Sequence, residues 1–431
     1  MSAKFASKAG AKIVERKLSN GLKVLLVERH AAPVVSVLLY YRVGVRTELE
    51  HEAGMSHFLE HMMFKGTSKY GKGQIDLVTT MLGGNNNAFT GYDHTGYWFE
   101  FASDRWERAL ELEADRMNGL LIDADEFEAE KAVVLEELSM TEDDPWRELT
   151  REMAEMLYPG HCYGRPVIGY AETLRQMTPA DMDSYYRRHY RPSNAMLVVC
   201  GDFKERGAMS LVRKHFGAID ANGVEEAAPS NFRRALTEPR AEKRVVCRWD
   251  DDARRLCMAW PTTAVGTDED WAFDLLNVVL ASGRLSRLHQ RLVQDERLAT
   301  SVSMSNDARV DGGAVWLYAE CAQSATPEAL EAAIDEELER LAVELISAKE
   351  LSRARAIFSA SEAHENETVT DLAEDIGSYA IDIDWRMALE GRERLAAVRP
   401  RFIRDTVRKF LRRDRRVVGW SLPAGDPSLL G

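Results

Sequence analysis

The sequence predicts an α+β protein built from two similar domains. Its 431 residues exceed what one hydrophobic core usually serves, so two domains of about 200 residues each are the starting expectation. Short runs rich in β-branched residues lie between longer segments of helical periodicity, and this pattern begins twice along the chain. We place the first domain at 1–220, an irregular linker at 221–243 and the second domain at 244–431.

Both halves contain the same two kinds of segment. The strand-like runs cover 21–28, 34–43, 96–101 and 195–200 in the first half, and 244–249, 255–259, 314–319 and 417–422 in the second. Helical periodicity covers 55–64, 74–82, 105–121, 124–140 and 180–190, and later 271–280 and 327–345. This mixture is typical of an α+β fold.

One pair of helical segments supports an internal duplication. The shared residues are Ala124, Glu126 and Ala132, which recur as Ala348, Glu350 and Ala356. At the same offset, Ala354 and Ser361 stand where the first copy has Glu130 and Glu137. A duplication that kept the scaffold and lost the carboxylates in one copy would produce this pattern, and it favours two similar domains over one continuous fold.

Composition and charge exclude several classes of protein. With 45% hydrophobic and 29% charged residues the chain is globular, and its formal net charge of -14 makes nucleic acid and anionic lipid poor partners. Basic residues cluster near the C-terminus: Arg399, Arg401, Arg404, Arg408, Lys409, Arg412, Arg413, Arg415 and Arg416. Apolar residues recur among them at helical spacing, so we expect an amphipathic helix with a solvated basic face; nucleic-acid binding through it conflicts with the global charge.

The sequence gives no sign of membrane insertion or of disulfides. No apolar run approaches the roughly 18 residues of a membrane helix, and residues 1–16 lack the apolar core of a signal peptide. The five cysteines are dispersed in mostly apolar runs and are expected to be buried. We therefore expect no membrane partner and a cytoplasmic location by default, or a periplasmic one if a leader has been removed.

The sharpest feature is the segment His57-Phe-Leu-Glu60-His61. On a helix the two imidazoles lie one turn apart on the same face, close enough to hold one cation, and Glu60 lies on that face too. Catalytic zinc typically takes three protein ligands and keeps one position for water, whose pKa it lowers to about 7. The two histidines therefore call for a third ligand from elsewhere in the chain.

A second acidic helix offers that ligand. Glu137 is the best candidate, and Glu130, two helical turns earlier, faces the same way and would support the site. Glu136 points about 100° away and is the alternative ligand. Histidines at this spacing also occur on ordinary amphipathic helices, but a glutamate directly before the second histidine and a distant acidic helix favour a catalytic site.

The motif resembles the inverted zinc signature of the family of pitrilysin, insulin-degrading enzyme and mitochondrial processing peptidase, the inverzincins. Similarity extends through 54–67, 82–90 and 130–137, and more weakly through 163–169 and 283–288, over nearly the whole chain. The resemblance implies two homologous domains, each a mostly antiparallel sheet covered by helices. It also implies one zinc ion per chain bound by His57, His61 and Glu137, with Glu60 as the general base and Glu130 in support.

The same resemblance implies a peptide substrate and a closed chamber formed with a second, homologous subunit. Asn87, Ala88, Phe89 and Thr90 would then form an edge strand that pairs with substrate backbone. For the asparagines at 85–87 an ordinary turn is the alternative interpretation.

One departure from the family pattern bears on the partner. Active members carry an arginine and a tyrosine, seven residues apart, after a Ser-Arg-Leu motif; here Val293 and Thr300 stand at those positions. A lost oxyanion donor costs roughly 3 kcal/mol. We therefore expect a heterodimer whose second subunit supplies Arg and Tyr, with a homodimer left open. The alternative function is a non-catalytic structural or assembly subunit of the same fold.

Overall fold

The computed structural model of the protein describes residues 6–8, 10–220 and 235–428. The strands are β1 (Ala6–Lys8), β2 (Ala11–Lys17), β3 (Lys23–Glu28), β4 (Val34–Tyr41), β5 (Asn85–Thr90), β6 (Thr95–Ala102), β7 (Ala195–Gly201), β8 (Lys243–Trp249), β9 (Arg254–Pro261), β10 (Ala299–Asp307), β11 (Ala314–Cys321) and β12 (Val417–Pro423). The α-helices are α1 (Met55–Met62), α2 (Gln74–Met81), α3 (Glu107–Gly119), α4 (Ala124–Glu142), α5 (Pro145–Leu157), α6 (Ala171–Gln176), α7 (Pro179–His189), α8 (Glu205–Phe216), α9 (Asp268–Leu280), α10 (Pro327–Val343), α11 (Ala348–Glu365), α12 (Val369–Asp382), α13 (Arg386–Ala397) and α14 (Pro400–Phe410).

The strands form two sheets with the same internal order. The first sheet runs β1-β2-β3-β7-β4-β6-β5, and the second runs β8-β12-β9-β11-β10 when read from its β8 edge. In each sheet one neighbouring pair is parallel, β3 with β7 and β8 with β12, and the other pairs are antiparallel. The predicted fold class, two similar α+β folds with mostly antiparallel sheets, is confirmed.

The repeated segments found in the sequence correspond to helices at the same position in the two folds. The helices α4 and α11 begin at Ala124 and Ala348, the two alanines that the duplication hypothesis matched. In the first half of the chain β6 is followed by α3 and then by α4. In the second half β11, the counterpart of β6, is followed by α10 and then by α11. The repeated sequence therefore marks repeated structure.

The described residues group into two compact units, and each unit includes a helix from the other half of the chain. Unit 1 holds the described residues up to Leu138, those of 166–232 and Ala363–Leu389; unit 2 holds Ser139–Arg165 and the described residues of 233–362 and 390–431. The helix α12 packs on β4 and β7 in unit 1, and α5 packs on β8, β9 and β12 in unit 2. We call α5 and α12 the exchanged helices.

This grouping differs from the division at 1–220 and 244–431 because the exchanged helices pack away from their sequence neighbours. Most of the predicted linker, 221–234, lies outside the described residues. Its last residue, Lys243, already begins β8.

Alternating side chains of β4 explain why unit 1 needs a helix on each face of its sheet. Val37 and Leu39 belong to one buried cluster with α1, whereas Leu38 and Tyr40 belong to another with α12. A strand buried on both faces reads as a nearly continuous apolar run, and 34–41 is apolar except for the buried Ser36. At Gly377 of α12 a Cβ atom would overlap the Tyr40 ring, so the absence of a side chain lets the helix approach the strand.

Other predictions have mixed outcomes. All eight predicted strand runs overlap strands, but β1, β2 and β10 were not predicted, and neither were the exchanged helices. The turn proposed for the asparagines at 85–87 is wrong, because they begin β5.

The C-terminal amphipathic helix is confirmed as α14, which buries Ile403, Val407 and Phe410. Its basic neighbours are largely ion-paired, for example Lys409 with Glu269.

All five cysteines are free thiols; four are buried and Cys247 is half-buried. Within the described residues no helix combines the length and the apolar character needed to cross a lipid bilayer.

Candidate metal centre

The start of α1 is fixed by a glycine and a buried carboxylate. Gly54 has a left-handed φ of 94°, and a Cβ there would lie 2.5 Å from the carbonyl oxygen of Ile168. The Glu48 carboxylate accepts hydrogen bonds from the backbone N–H of Gly54 at 3.2 Å and of Ser56 at 2.9 Å. These contacts satisfy donors that a helix N-terminus leaves open, and they set the rotation of α1.

The rotation of α1 sends its polar side chains toward α4. Met55, Phe58, Leu59 and Met62 are buried in the core of unit 1, so His57, Glu60 and His61 occupy the remaining face. The rings of Phe58 and Phe127 lie 4.8 Å apart between centroids and pack α1 against α4. The acidic face of α4 is thereby brought to the histidines.

Three ligand atoms converge between these helices. One nitrogen each of His57 and His61 and one carboxylate oxygen of Glu137 all lie within 4.8 Å of one another. The Nε2 atoms of His57 and His61 lie 3.7 Å and 3.5 Å from the two oxygens of Glu137. Glu136, the alternative ligand, is exposed and does not join this cluster. The role of the three residues as metal ligands stays a prediction.

Glu130 controls the second nitrogen of His61. Its Oε1 lies 2.9 Å from Nδ1 of His61, and its other oxygen is ion-paired with Lys65. Burial raises the pKa of Glu130, but the hydrogen bonds from Lys65 and His61 outweigh it and lower the pKa below its usual range. The Glu130 carboxylate can accept a hydrogen bond from Nδ1–H of His61, and this contact orients Nε2 of His61 toward Glu137.

His57 is held neutral by its surroundings. Burial, together with the nearby His61, lowers the pKa of His57 to about 4. Its Nδ1 is buried and has no hydrogen-bond partner among the described residues, so no described group dictates which nitrogen carries the proton. A neutral imidazole is the form that binds a metal.

Glu60 lies beside the cluster and is held by the end of β5. The Thr90 hydroxyl donates a hydrogen bond of 2.6 Å to Oε2 of Glu60. Burial raises the pKa of Glu60, and the Thr90 hydrogen bond offsets part of that rise. Sequence reasoning assigned Thr90 to substrate binding and missed this bond. Strand alternation was the available signal, since it places Ala88 and Thr90 on one face.

The remaining residues predicted to bind substrate lie along β5, the last strand of its sheet. Ala88 packs against the core that contains α1, whereas Phe89 packs on the opposite face against Tyr40. Gly96 opposite Phe89 makes room for its ring, because a Cβ there would lie 2.6 Å from it. Asn87 is exposed. Within the described residues, β5 pairs only with β6, so its outer edge is open.

Val293 and Thr300 both belong to unit 2. Val293 lies in a π-helix, His289–Asp295, and Thr300 is an exposed residue of β10 whose hydroxyl lies 3.4 Å from the carbonyl oxygen of Glu320. Arg287 of the Ser-Arg-Leu segment binds Glu350 at 2.6 Å and Glu337 at 3.1 Å. That arginine therefore anchors the π-helix segment to α10 and α11.

The donor set fits zinc. Two imidazole nitrogens and one carboxylate oxygen are a ligand combination that catalytic zinc takes. The depressed pKa of His57 keeps its imidazole neutral, and the Glu130 contact orients the ring of His61. Glu60 adds a carboxylate beside the cluster without joining it. The arrangement can therefore hold one divalent cation and a base next to it.

Sequence comparisons identify the proteins that this chain resembles. The family described as Insulinase (Peptidase family M16) matches residues 23–170, and the Peptidase M16 inactive domain matches residues 176–358. An uncharacterized zinc protease of Mycobacterium tuberculosis is 34% identical over 307 residues, 70% of this chain and 69% of that protein. The zinc protease PqqE of Helicobacter pylori is 29% identical over 370 residues, 85% of this chain and 83% of the relative.

Solved structures have the same fold. A protease from Helicobacter pylori superposes with a TM-score of 0.91 at 25% identity, covering 96% of this chain and all of that one. A peptidase M16 inactive domain from Pseudomonas fluorescens gives 0.86 at 18% identity, covering 95% and 98%, and so supports the fold alone. With its sequence matches, its duplicated α+β fold and its relatives named as zinc proteases, this chain belongs to the M16 family of metallopeptidases, the pitrilysin family.

Proposed function

We propose that this chain is the zinc-bearing subunit of a peptidase that hydrolyses peptides or unfolded polypeptides. The observation that carries the proposal is the convergence of His57, His61 and Glu137 within 4.8 Å beside the buried Glu60. Zinc held there would polarise the scissile carbonyl and lower the pKa of the attacking water.

Glu60 is the general base of this proposal. One of its oxygens, Oε2, is occupied by the Thr90 hydroxyl, which leaves Oε1 to accept the proton of the attacking water. Burial makes the carboxylate a stronger base than an exposed one, because it raises the pKa of Glu60. The proton can then pass to the leaving amine from the same oxygen.

The open edge of β5 is the proposed site for substrate backbone. An extended peptide that adds to a sheet edge is bound mainly by main-chain hydrogen bonds, which do not depend on its side chains. Asn87, Ala88, Phe89 and Thr90 supply that edge. Loose sequence preference follows from this mode of binding.

A second subunit is part of the proposal because of Val293 and Thr300. Neither side chain can donate as arginine and tyrosine do to the oxyanion of a tetrahedral intermediate. We expect a homologous subunit of different sequence to supply that pair, in a heterodimer that encloses the substrate. A homodimer could enclose the substrate but could not supply the pair, because each copy carries Val293 and Thr300.

The test measures zinc content and cleavage of an unfolded fluorogenic peptide by the full chain, with and without a chelator and a co-expressed homologue. Glu60→Gln should keep the zinc and reduce kcat by about 10²–10⁴-fold, since it removes the general base. Glu136→Gln, an exposed neighbour of the cluster, is the matched control and should change neither.

Cleavage by Glu60→Gln at the wild-type rate would contradict the role of Glu60. Full turnover by the isolated chain would contradict the need for a partner. Protein that binds no zinc and cleaves nothing in any combination would instead favour the non-catalytic subunit.

A further inference from the structure

The two units share a second repeated feature, a histidine–aspartate pair between the edge hairpin and the exchanged helix. In unit 1 the turn that joins β5 to β6 contributes His94, and α12 contributes its last residue, Asp382. In unit 2 the turn that joins β10 to β11 contributes Asp311, and His161 follows the end of α5. In unit 1 the histidine lies in the hairpin turn and the aspartate on the exchanged helix, whereas in unit 2 the aspartate lies in the turn and the histidine follows the exchanged helix. In both units the pair therefore connects the hairpin turn to the exchanged helix.

The pair in unit 1 is embedded in an aromatic cluster. His94 Nδ1 lies 2.9 Å from Asp382 Oδ1, and both side chains are 16% exposed. The His94 ring packs edge-on against Tyr40 and Phe89, with centroids 5.4 Å and 5.9 Å away. Through Phe89 the pair supports the face of β5 opposite to Thr90, whose hydroxyl holds Glu60.

The pair in unit 2 is looser. His161 Nε2 lies 3.4 Å from Asp311 Oδ2, and the side chains are 5% and 0% exposed. The Asp311 backbone N–H also donates to the Tyr163 hydroxyl at 3.1 Å. Since unit 2 carries none of the metal-cluster residues, its pair offers a comparison in which the same contact serves no proposed active site.

We propose that His94 and Asp382 are positioning residues for β5: their ion pair fixes the β5–β6 turn to the exchanged helix α12 and holds the open edge of β5 ready for peptide backbone. This inference rests on the proposed function, because it assigns peptide binding to β5. An edge strand is paired on one side only, so a contact at its end limits fraying. The second half of the chain thereby contributes a residue that acts on the peptide-binding strand of the first.

Several charged groups surround the pair. Asp93 in the turn is 3.8 Å from Arg46, and Arg42 donates to the carbonyl oxygen of Ile381 at 2.9 Å, next to Asp382. Glu374 and Asp375 of α12 lie near Tyr40. Burial opposes protonation of His94, but Asp382 and then Asp93 raise its pKa above the ordinary value. The raised pKa favours the charged imidazolium of His94, and a charged donor strengthens the hydrogen bond to Asp382.

The experiment measures the affinity of the full chain for a labelled unfolded peptide by fluorescence anisotropy, in a Glu60→Gln background so that nothing is hydrolysed. His94→Ala should weaken affinity about tenfold, the effect of losing one charge-assisted hydrogen bond. His94→Gln can still donate to Asp382 and should stay within about threefold of the parent. His161→Ala, the same change in the unit 2 pair, is the control and should leave affinity unchanged.

A pH series separates positioning from general destabilisation. The affinity of the parent should fall as pH rises through the raised pKa of His94, because the pair loses its charge; His94→Gln should not show this fall. Equal affinity of parent and His94→Ala, or equal weakening by His161→Ala, would overturn the inference.

Backbone hydrogen exchange keeps the inference testable even if no variant binds peptide. In that case the proposed function fails, whereas positioning predicts faster exchange in His94→Ala confined to β5, β6 and the turn between them. Unchanged exchange there, or faster exchange across the whole sheet, would overturn the positioning role.

Discussion

The sheets of unit 1 and unit 2 share the order of five strands, but among the described residues only those of unit 1 form the metal cluster. Where α4 has Glu130 and Glu137, α11 has the buried Ala354 and the exposed Ser361, and α9 carries no histidine. Unit 2 keeps its fold without these polar side chains. The comparison teaches that packing maintains the scaffold, whereas the histidines and carboxylates of unit 1 are not needed to build it.

An ion pair is repeated in both units but in different surroundings. Lys72 lies two residues before α2 and binds Glu126 of α4 at 2.6 Å; Arg287 lies two residues before the π-helix and binds Glu350 of α11 at 2.6 Å. The side chain of Lys72 is 60% exposed, whereas that of Arg287 is 13% exposed. In unit 1 the pair connects the segment before the edge strand β5 to α4, which holds the carboxylates. In unit 2 the pair connects the segment before the edge strand β10 to α11, which lacks them.

The largest expected effect comes from making α4 resemble α11. Glu137→Ser removes the third ligand atom and should lose zinc and reduce cleavage by more than about a hundredfold, since even outer partners of metal ligands cost about 10–100-fold. Metal analysis and peptide cleavage measure both. Glu136→Ser is the control. Zinc retained by Glu137→Ser but lost by Glu136→Ser would reverse the ligand assignment.

The second test introduces into unit 2 the arginine and the tyrosine that active family members carry at positions 293 and 300. Val293→Arg combined with Thr300→Tyr should raise the activity of the chain without its homologue by about 10²-fold, provided that copies of the chain associate, because one oxyanion donor is worth about 10²–10³ in kcat. The steady-state kcat is the readout. Arg and Tyr introduced in reverse order are the control, and an equal gain from both variants would contradict a specific role.

The third test concerns stability and uses the repeated ion pair. Arg287→Met should lower the free energy of unfolding by about 2–3 kcal/mol, because Glu337, 1% exposed, loses one of its partners and keeps Arg340. Lys72→Met should cost less than about 1 kcal/mol, because its pair is exposed to water. Urea unfolding compares the two, and equal costs would show that burial does not distinguish them.

The smallest effect depends on pH. Burial opposes protonation of His161, but Asp311 and Cys162 raise its pKa to about 9. Because the folded pKa lies above the unfolded value of about 6.5, the pair stabilises fully below that value and loses its contribution as pH rises through about 9. Asp311→Asn should therefore be less stable than the wild type near pH 7, and the difference in urea midpoint should shrink near pH 10. A constant difference would show that the pair acts through packing alone.

Much of the fold could be predicted because the signals are local. Strands such as β4 and β9 are recognisable in the sequence as mostly apolar runs, and α1 and α4 are recognisable by their helical periodicity. The strand β10 was missed because only alternate residues, such as Val302 and Met304, are buried among serines. An alternating polar strand without aromatic residues gives a weak signal.

The candidate cluster was predictable for a similar reason. His57 and His61 are placed by the pitch of one helix, and Glu137 by its spacing from Glu130 on another. Residue spacing alone does not decide which glutamate of α4 faces the histidines, because the rotation of that helix depends on packing. The Phe58–Phe127 contact sets that rotation.

By itself the sequence determined the order of the eight predicted strands, the duplication and the polar face of α1, because these follow from residue spacing along the chain. Only the tertiary structure decided that α5 packs in unit 2 and α12 in unit 1, each with the other half of the chain. It also decided that Thr90 binds Glu60 and that His94 contacts Asp382. Periodicity tells which face of a helix is apolar but not which sheet will bury it. That choice depends on contacts between residues hundreds of positions apart, such as Tyr40 and Gly377.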